Sequence, residues 1–397
     1  MRALVPILLL ISLVLGACRS TKDFSRPLPP GSPALLPLEA GERVPDLRGD
    51  FAGREAARAA LARSLAWMRR PVAKRFYPIE GIPHDRALAT LVRLDQVLAT
   101  AADSAAFQTT LERDFNWFKS AGWDGLGGGV LFTGYYTPIF DGRIERDPVF
   151  RFPLYGRPPD LVVEPDGRVR GLQTPGGTVP YPPRRNIEEA GLLADRGLEL
   201  VWLADPLEAY LCHVQGSAFI RLADKSIFKL GFGGTNGREY TSLAKELVND
   251  GLLSAEAADL AGIKTWAKDN PDRLQSYTWR NPRFVFFTPI SGAPHGSLDF
   301  PVETERSLAT DKSLFPRGGP VVVDTQLPEA HGRLIKPFRA LMFDQDTGGG
   351  IRTAGRGDLY LGVGDRAGER AGRMRSEGQL YYFFVREDLV AGLLATP

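Results

Sequence analysis

The sequence predicts a mainly β fold with flanking helices, and three observations carry that reading. Apolar stripes at helical spacing run through residues 54 to 121. After Gly127-Gly128-Gly129 the pattern changes to short β-rich runs separated by turns. Towards the C-terminus, a glycine-rich turn sits between two short runs that read as strands, Leu341–Phe343 and Asp358–Val363.

Taken in order, the chain opens with Arg2 and an apolar run from Ala3 to Ala17, broken only by Pro6 and Ser12. This is a signal peptide's charged start, short core and small-residue exit, expected over residues 1–17. It is too short for an ordinary membrane span of about 20 apolar residues. Cys18 follows Leu15-Gly16-Ala17 directly and resembles a bacterial lipoprotein acceptor site. With Arg19 rather than Asp next, sorting by resemblance points to the outer membrane of a Gram-negative bacterium, facing the periplasm. The other reading is an ordinary signal peptide with a coincidental cysteine. Cys212 then has no partner, so no internal disulfide stabilises the core. Residues 18–50, with Pro27, Pro29, Pro30, Pro33 and Pro37 among Ser, Gly and Arg, read as an extended, unfolded tether.

Three helices are expected at Arg54–Arg70, His84–Thr100 and Ser104–Ala121, ended by Pro71 and Gly122 at the first and last. Their apolar stripes read as core. Strands are expected over Val130–Phe140, Leu200–Leu203, Tyr210–Leu222 and Ile227–Phe232, with turns at Asp166-Gly167 and Ala223-Asp224-Lys225. A helical interval covers Ser242–Asp250 and Ala255–Lys268 before Phe284–Phe287 resumes the strands.

Length and composition set outer bounds. With 397 residues and 43% hydrophobic content, the chain can bury a full core and fill two or three domains. A formal net charge of +2 provides no field for steering nucleic acid. The four histidines, at 84, 213, 295 and 331, show no metal-ligand spacing, and neither cysteine joins one, so no metal site is expected. Asp344-Gln345-Asp346 begins like a calcium loop, yet Gly355 stands where the closing glutamate is required. Ser217 lacks the glycine setting of a nucleophile elbow. His213 reads as a satisfied strand histidine.

The richest segment is Leu341 to Gly364. It places Asp346 directly before a glycine run and Asp358 twelve positions on. Glycines at 348, 349 and 350 permit close backbone approaches that side chains forbid, so two acids leaving opposite ends of this turn can converge on one groove. Read alone, Asp-Thr-Gly is also compatible with a capped loop.

In context this segment resembles the aspartate-rich signature of the membrane-bound lytic murein transglycosylase A family. The matches are Asp346, Gly348, Gly349 and Ile351, then Asp358, Leu359, Tyr360, Gly362 and Gly364. Arg306-Ser307-Leu308-Ala309-Thr310-Asp311, Pro316-Arg317-Gly318 and Ala367–Gly372 resemble its neighbouring motifs. Phe132–Pro138, Val214–Ser217 and Asn281–Phe287 agree upstream. Ala218, Glu369 and Arg373 depart from the family's usual Gly, His and Trp.

The resemblance implies a double-psi β-barrel, residues 51–138 and 281–397, with a smaller β-rich domain, 139–280, inserted and a groove between them. It implies a cofactor-free enzyme that cleaves the bond between N-acetylmuramic acid and N-acetylglucosamine in peptidoglycan. One aspartate would serve as acid and then as base while the substrate's C6 hydroxyl attacks C1. Asp346 is assigned that role, with Asp358 and Asp311 as acids that hold or tune it. Both also have a structural reading, as caps of turns and strand ends. Thr133, Gly134, Tyr135, Tyr136, Gln215, Gly216, Ser217, Gly348 and Gly349 are assigned to substrate. On a strand, alternation sends one of the two tyrosines inward. Partners implied are peptidoglycan strands, the membrane through the lipid, and other cell-wall enzymes. Two alternatives stay open: a non-catalytic, expansin-like glycan-binding protein, and a murein hydrolase.

Overall fold

The computed structural model describes residues 22–39, 41–164, 167–330 and 334–395. The signal segment 1–17, Cys18, Asp166 and His331 lie outside the described residues. Among the described residues, no helix is long and apolar enough to cross a membrane.

A six-stranded barrel organises the chain. Its strands, in order around the wall, are Arg375–Val385, Pro320–Pro328, Ile335–Asp346, Ser307–Ala309, Arg356–Val363 and Val130–Thr137, and the last pairs back with the first. Two of these pairings are parallel, Ser307–Ala309 with Ile335–Asp346 and Arg356–Val363 with Val130–Thr137. The others are antiparallel, giving the double-psi barrel. Phe115–Ser120 and Leu35–Pro37 extend the sheet from Arg375–Val385. Helices Arg54–Met68 and His84–Thr100 cover the barrel with buried Leu61, Leu65, Leu91 and Leu94. A bidentate ion pair fastens this helical layer to the wall: Arg306 donates to both carboxylate oxygens of Asp50 at 2.6 and 2.8 Å.

A second domain is built on a six-stranded sheet ordered Val285–Pro289, Ile227–Thr235, Ala218–Arg221, Ile139–Arg143, Glu199–Leu203 and Phe152–Tyr155. Among the described residues, a three-stranded sheet and five helices complete it. Val285–Pro289 pairs with Ile227–Thr235, so the chain returns to the barrel after residue 289 rather than at 281.

Three expectations are corrected. The third helix ends at Asp114, and Phe115–Ser120 is a strand. Phe107, Leu111, Phe115 and Phe118 fit a helical stripe, but Trp117 stacks on Phe383 at 4.5 Å and Phe115 meets the same ring edge-on at 5.2 Å. Cross-strand aromatic packing overrides the local period. Tyr210–Leu222 is not one strand, because Pro206–Gln215 is a helix capped by Asp205, whose carboxylate accepts from the Leu207 amide at 2.7 Å. Gly216 ends that helix in the left-handed region, φ 75°, and the strand Ala218–Arg221 follows. His213 is therefore a helical residue, buried, with Nδ1 accepting from the Val285 amide at 3.2 Å.

The third correction concerns the tether. From residue 22 the chain is packed, since Leu35–Pro37 pairs with Phe118–Ser120, and Ala34, Leu35 and Leu47 are buried. The prolines set an extended backbone, which suits an edge strand as well as a linker.

Strand Val130–Thr137 shows how alternation sorts side chains. Thr133, Tyr135 and Thr137 point one way; Phe132, Gly134 and Tyr136 point the other. Gly134 thus faces the barrel packing, where an added Cβ would stand 2.6 Å from Leu361 Cδ1 and 3.1 Å from the Ala371 backbone. Tyr136 is buried, its ring against Gly368. We expect Gly134→Ala to lower stability by about 1–3 kcal/mol through overpacking, read by thermal or denaturant unfolding. Wild-type stability with weakened glycan binding would return Gly134 to the substrate surface.

Candidate active site

The short strand Ser307–Ala309 determines where the acids meet. Ala309 lies opposite Asp346 in one pairing and opposite Asp358 in the other. Both carboxylates consequently border the same groove, an opening of about 890 Å³ between the barrel and the second domain. Asp358 lies opposite Thr133, and Tyr360 opposite Tyr135, which brings the Val130–Thr137 strand to the same floor.

Asp346 is held from two sides. Its Oδ1 accepts the backbone amides of Ser297 at 2.9 Å and Thr347 at 2.8 Å, while Oδ2 accepts the Tyr135 hydroxyl at 2.8 Å. Burial pushes the Asp346 carboxyl above its ordinary range, against the opposing pull of those donors. Asp358 accepts the Thr133 hydroxyl at 2.8 Å, and its pKa is pushed up to about 6, mainly by burial and further by the charge of Asp346. The Tyr135 hydroxyl is raised as well, by burial first and then by Asp346.

Asp311 has a different environment. Its Oδ1 accepts the amide and hydroxyl of Ser313 at 3.0 and 2.7 Å, and its Oδ2 accepts the Thr353 amide at 3.0 Å. Its carboxylate therefore ties the 311–315 turn to the loop after the glycine run, and it is not among the groove-lining residues. Beside it stands a buried pair absent from the sequence reading. Lys312 Nζ contacts Asp344, which also accepts the hydroxyls of Thr310 at 2.7 Å and Tyr382 at 2.8 Å. Four polar groups satisfied together at the groove fix the turn that follows Ala309.

The remaining assigned residues divide. Gln215 accepts the Tyr136 amide at 3.1 Å, joining the second domain to the barrel strand. The Ser217 and Thr137 hydroxyls lie 3.1 Å apart, and Thr137 is 3.2 Å from the Tyr360 hydroxyl. Tyr135, Gln215, Gly216, Ser217, Gly348 and Gly349 line the groove; Thr133, Gly134 and Tyr136 do not. None of Gly348, Gly349 and Gly350 needs a left-handed backbone. Their value is close approach: a Cβ at 349 would stand 3.1 Å from Arg283 Nε, and one at 350 would stand 3.2 Å from the Tyr240 ring. The glycine turn presses on the second domain. Sequence reasoning missed Tyr240, Arg283, Ser297 and Lys312. For Arg283 alone there was a signal, inside the Asn281–Phe287 motif.

The shift at Asp358 has a signed consequence. An acid whose folded pKa is raised from 3.8 to about 6 favours the folded state fully below the unfolded value and loses that contribution as pH rises through about 6. We expect the stability of wild type relative to Asp358→Asn to fall between pH 4 and 6, by up to about 3 kcal/mol. Parallel melting curves for the two proteins over that range would show the burial assignment to be wrong.

Comparison with known proteins gives a consistent picture. Residues 131–288 match the MltA specific insert domain and residues 306–384 the 3D domain. A membrane-bound lytic murein transglycosylase A of Vibrio cholerae is 32% identical over 265 residues, which is 64% of this chain and 67% of that protein. The crystal structure of a membrane-bound lytic murein transglycosylase from Agrobacterium tumefaciens superimposes with a TM-score of 0.75 at 26% identity, covering 90% of this chain and 99% of that one. An Escherichia coli MltA solved with bound chitohexaose gives a TM-score of 0.64 at 25% identity, over 92% of this chain and 96% of that one.

Proposed function

Because the chain belongs to the membrane-bound lytic murein transglycosylase A family, we propose that it is a peptidoglycan lytic transglycosylase in which Asp346 acts first as acid and then as base. The observation that carries this reading is the asymmetry of the Asp346 carboxyl. Oδ1 is committed to two backbone amides, which cannot reverse direction. Oδ2 faces only the Tyr135 hydroxyl, which can donate or accept. The proton therefore belongs on Oδ2, and burial acts in the same direction by favouring the neutral carboxyl.

The steps then balance without an external nucleophile. Asp346 gives its proton to the glycosidic oxygen, and the C1–O bond breaks with that oxygen leaving as a hydroxyl. The C6 hydroxyl of the N-acetylmuramic acid bonds to C1, and its proton passes to the same Asp346, restoring the acid. Tyr135 exchanges the sense of its hydrogen bond as the carboxyl changes state. Asp358, held by Thr133, keeps a second, tunable charge across Ala309 and favours the protonated form of its neighbour. Ordinary glycosidases need a second carboxylate to act on water. This scheme does not.

Digestion of purified murein should release muropeptides ending in 1,6-anhydro-N-acetylmuramic acid, one water lighter by mass spectrometry than hydrolysis products. Reducing ends alone would indicate a hydrolase, and murein binding without soluble product would indicate a glycan-binding protein. Asp346→Asn should lower turnover at least ~10²-fold, within the range of general acid-base catalysis, while glycan binding persists. Near-normal turnover in that variant, with loss in Asp358→Asn, would move the proton donor to Asp358.

The compartment is proposed on the same basis: export, lipid attachment at Cys18 and retention at the outer membrane, facing the periplasm. Cys18→Ser should abolish lipid labelling and release the protein from the membrane fraction. Wild-type protein recovered as a soluble periplasmic species without detergent would remove the anchor.

A further inference from the structure

Arg283 and Arg352 border the groove from opposite sides of the glycine turn, Arg283 from the second domain and Arg352 from the barrel loop. Arg283 is packed beneath Gly349, and the glycine leaves room for its guanidinium. Among the described residues the guanidinium makes a long hydrogen bond, 3.5 Å from Nη1 to the Arg238 carbonyl, and no carboxylate pairs with it. Glu239 acts on it only through space. Arg352, 63% exposed, reaches Asp311 only at 3.9 Å, beyond hydrogen-bond distance, and Asp311 is already committed to Ser313 and Thr353.

Two guanidiniums are thus brought towards one edge of the groove. Burial and the neighbouring positive charge of Arg352 both disfavour the protonated state of Arg283. Among the described residues, neither arginine has the bidentate partner that guanidinium geometry suits. The like-charge cost falls when an anion enters between them. Lys312, another cation of the groove lining, is committed to Asp344.

The geometry points to Arg283 and Arg352 as a carboxylate-recognition site that selects the charged substituents of the glycan strand over a plain N-acetylglucosamine polymer. This deepens the peptidoglycan reading and rests on it. Peptide-bearing strands carry carboxylates on their stem peptides, and peptide-stripped strands carry the free lactyl carboxylate on the muramic sugar. Chitohexaose carries none.

Calorimetric titration separates these sources. The full-length protein carrying Asp346→Asn prevents turnover, and it is compared with the same protein carrying in addition Arg352→Gln or Arg283→Lys. Each is titrated with peptide-bearing strands, peptide-stripped strands and chitohexaose. The expected result is a loss of roughly three- to tenfold in affinity for a carboxylate-bearing ligand, with a weaker salt dependence, measured relative to chitohexaose. A selective loss for peptide-bearing strands assigns the site to the stem peptide. A selective loss for stripped strands assigns it to the lactyl group. Equal losses for all three ligands, or no change for any, overturn the inference while leaving the transglycosylase reading intact. Failure of the Asp346→Asn protein to bind any murein strand would instead count against the peptidoglycan reading itself. Arg352 is exposed, so its substitution leaves folding out of the comparison, and Arg283→Lys retains charge while removing the fork.

Discussion

The site depends on a register constraint imposed by three residues. Among the described residues, Ser307–Ala309 is the only strand that pairs with both acid-bearing strands, and Ala309 stands opposite Asp346 on one side and Asp358 on the other. A one-residue slip would send one carboxylate to the other face of its strand, because side-chain direction alternates with period two. Polar groups buried around the strand prevent that slip. Arg306 grips Asp50 and the Leu341 carbonyl just before it, and Thr310, Lys312, Asp344 and Tyr382 form a satisfied cluster just after. Removing one partner from such a cluster leaves a buried charge uncompensated, which typically costs about 3–5 kcal/mol. Structural charges thus hold the two groove carboxylates in place.

The groove exists because the barrel and the second domain are joined at the floor as well as by the chain. Gln215 accepts from the Tyr136 amide, and Ser217 meets Thr137, directly behind Tyr135 on the same strand. On the far side, the glycine turn reaches Tyr240 and Arg283. These two contacts bracket Asp346. A relative shift of the domains would disturb both the hydroxyl on its Oδ2 and the turn that supplies one of the amides on its Oδ1.

Much of this was legible in the sequence, and the failures have physical causes. Helix His84–Thr100 falls where its spacing predicts, because one apolar stripe and a clean start leave few alternatives. Asp346 and Asp358 stand out because glycines between two acids are rare without a reason. The third helix was overrun because aromatic residues three or four apart also satisfy a strand when a partner such as Phe383 waits across the sheet. Helix Pro206–Gln215 was misread although its sequence carries Asp205-Pro206 at the start and Gly216 at the end. Gly134 and Tyr136 were grouped with Tyr135 by motif, whereas period-two alternation separates them. The Lys312–Asp344 pair and the Ser297 amide depend on contacts 32 and 49 residues apart, which no local pattern encodes.

The packed N-terminal segment changes what an anchor at Cys18 would mean. Lys22 pairs with Glu377, Phe24 lies 6.4 Å from Trp123, and the Phe24 carbonyl accepts the Thr353 hydroxyl at 2.7 Å. Thr353 in turn gives its amide to Asp311, in the loop that follows the glycine turn. Four Cα steps separate Cys18 from Lys22, and a fully extended chain covers about 3.3–3.6 Å per residue, so a lipid on Cys18 would sit within ~15 Å of this surface. A flexible tether of some thirty residues would let the groove search a wide shell of cell wall. A strap bound along the barrel permits no such search. With the lipid in place, it would hold the body close to the membrane and restrict the groove to the adjacent murein.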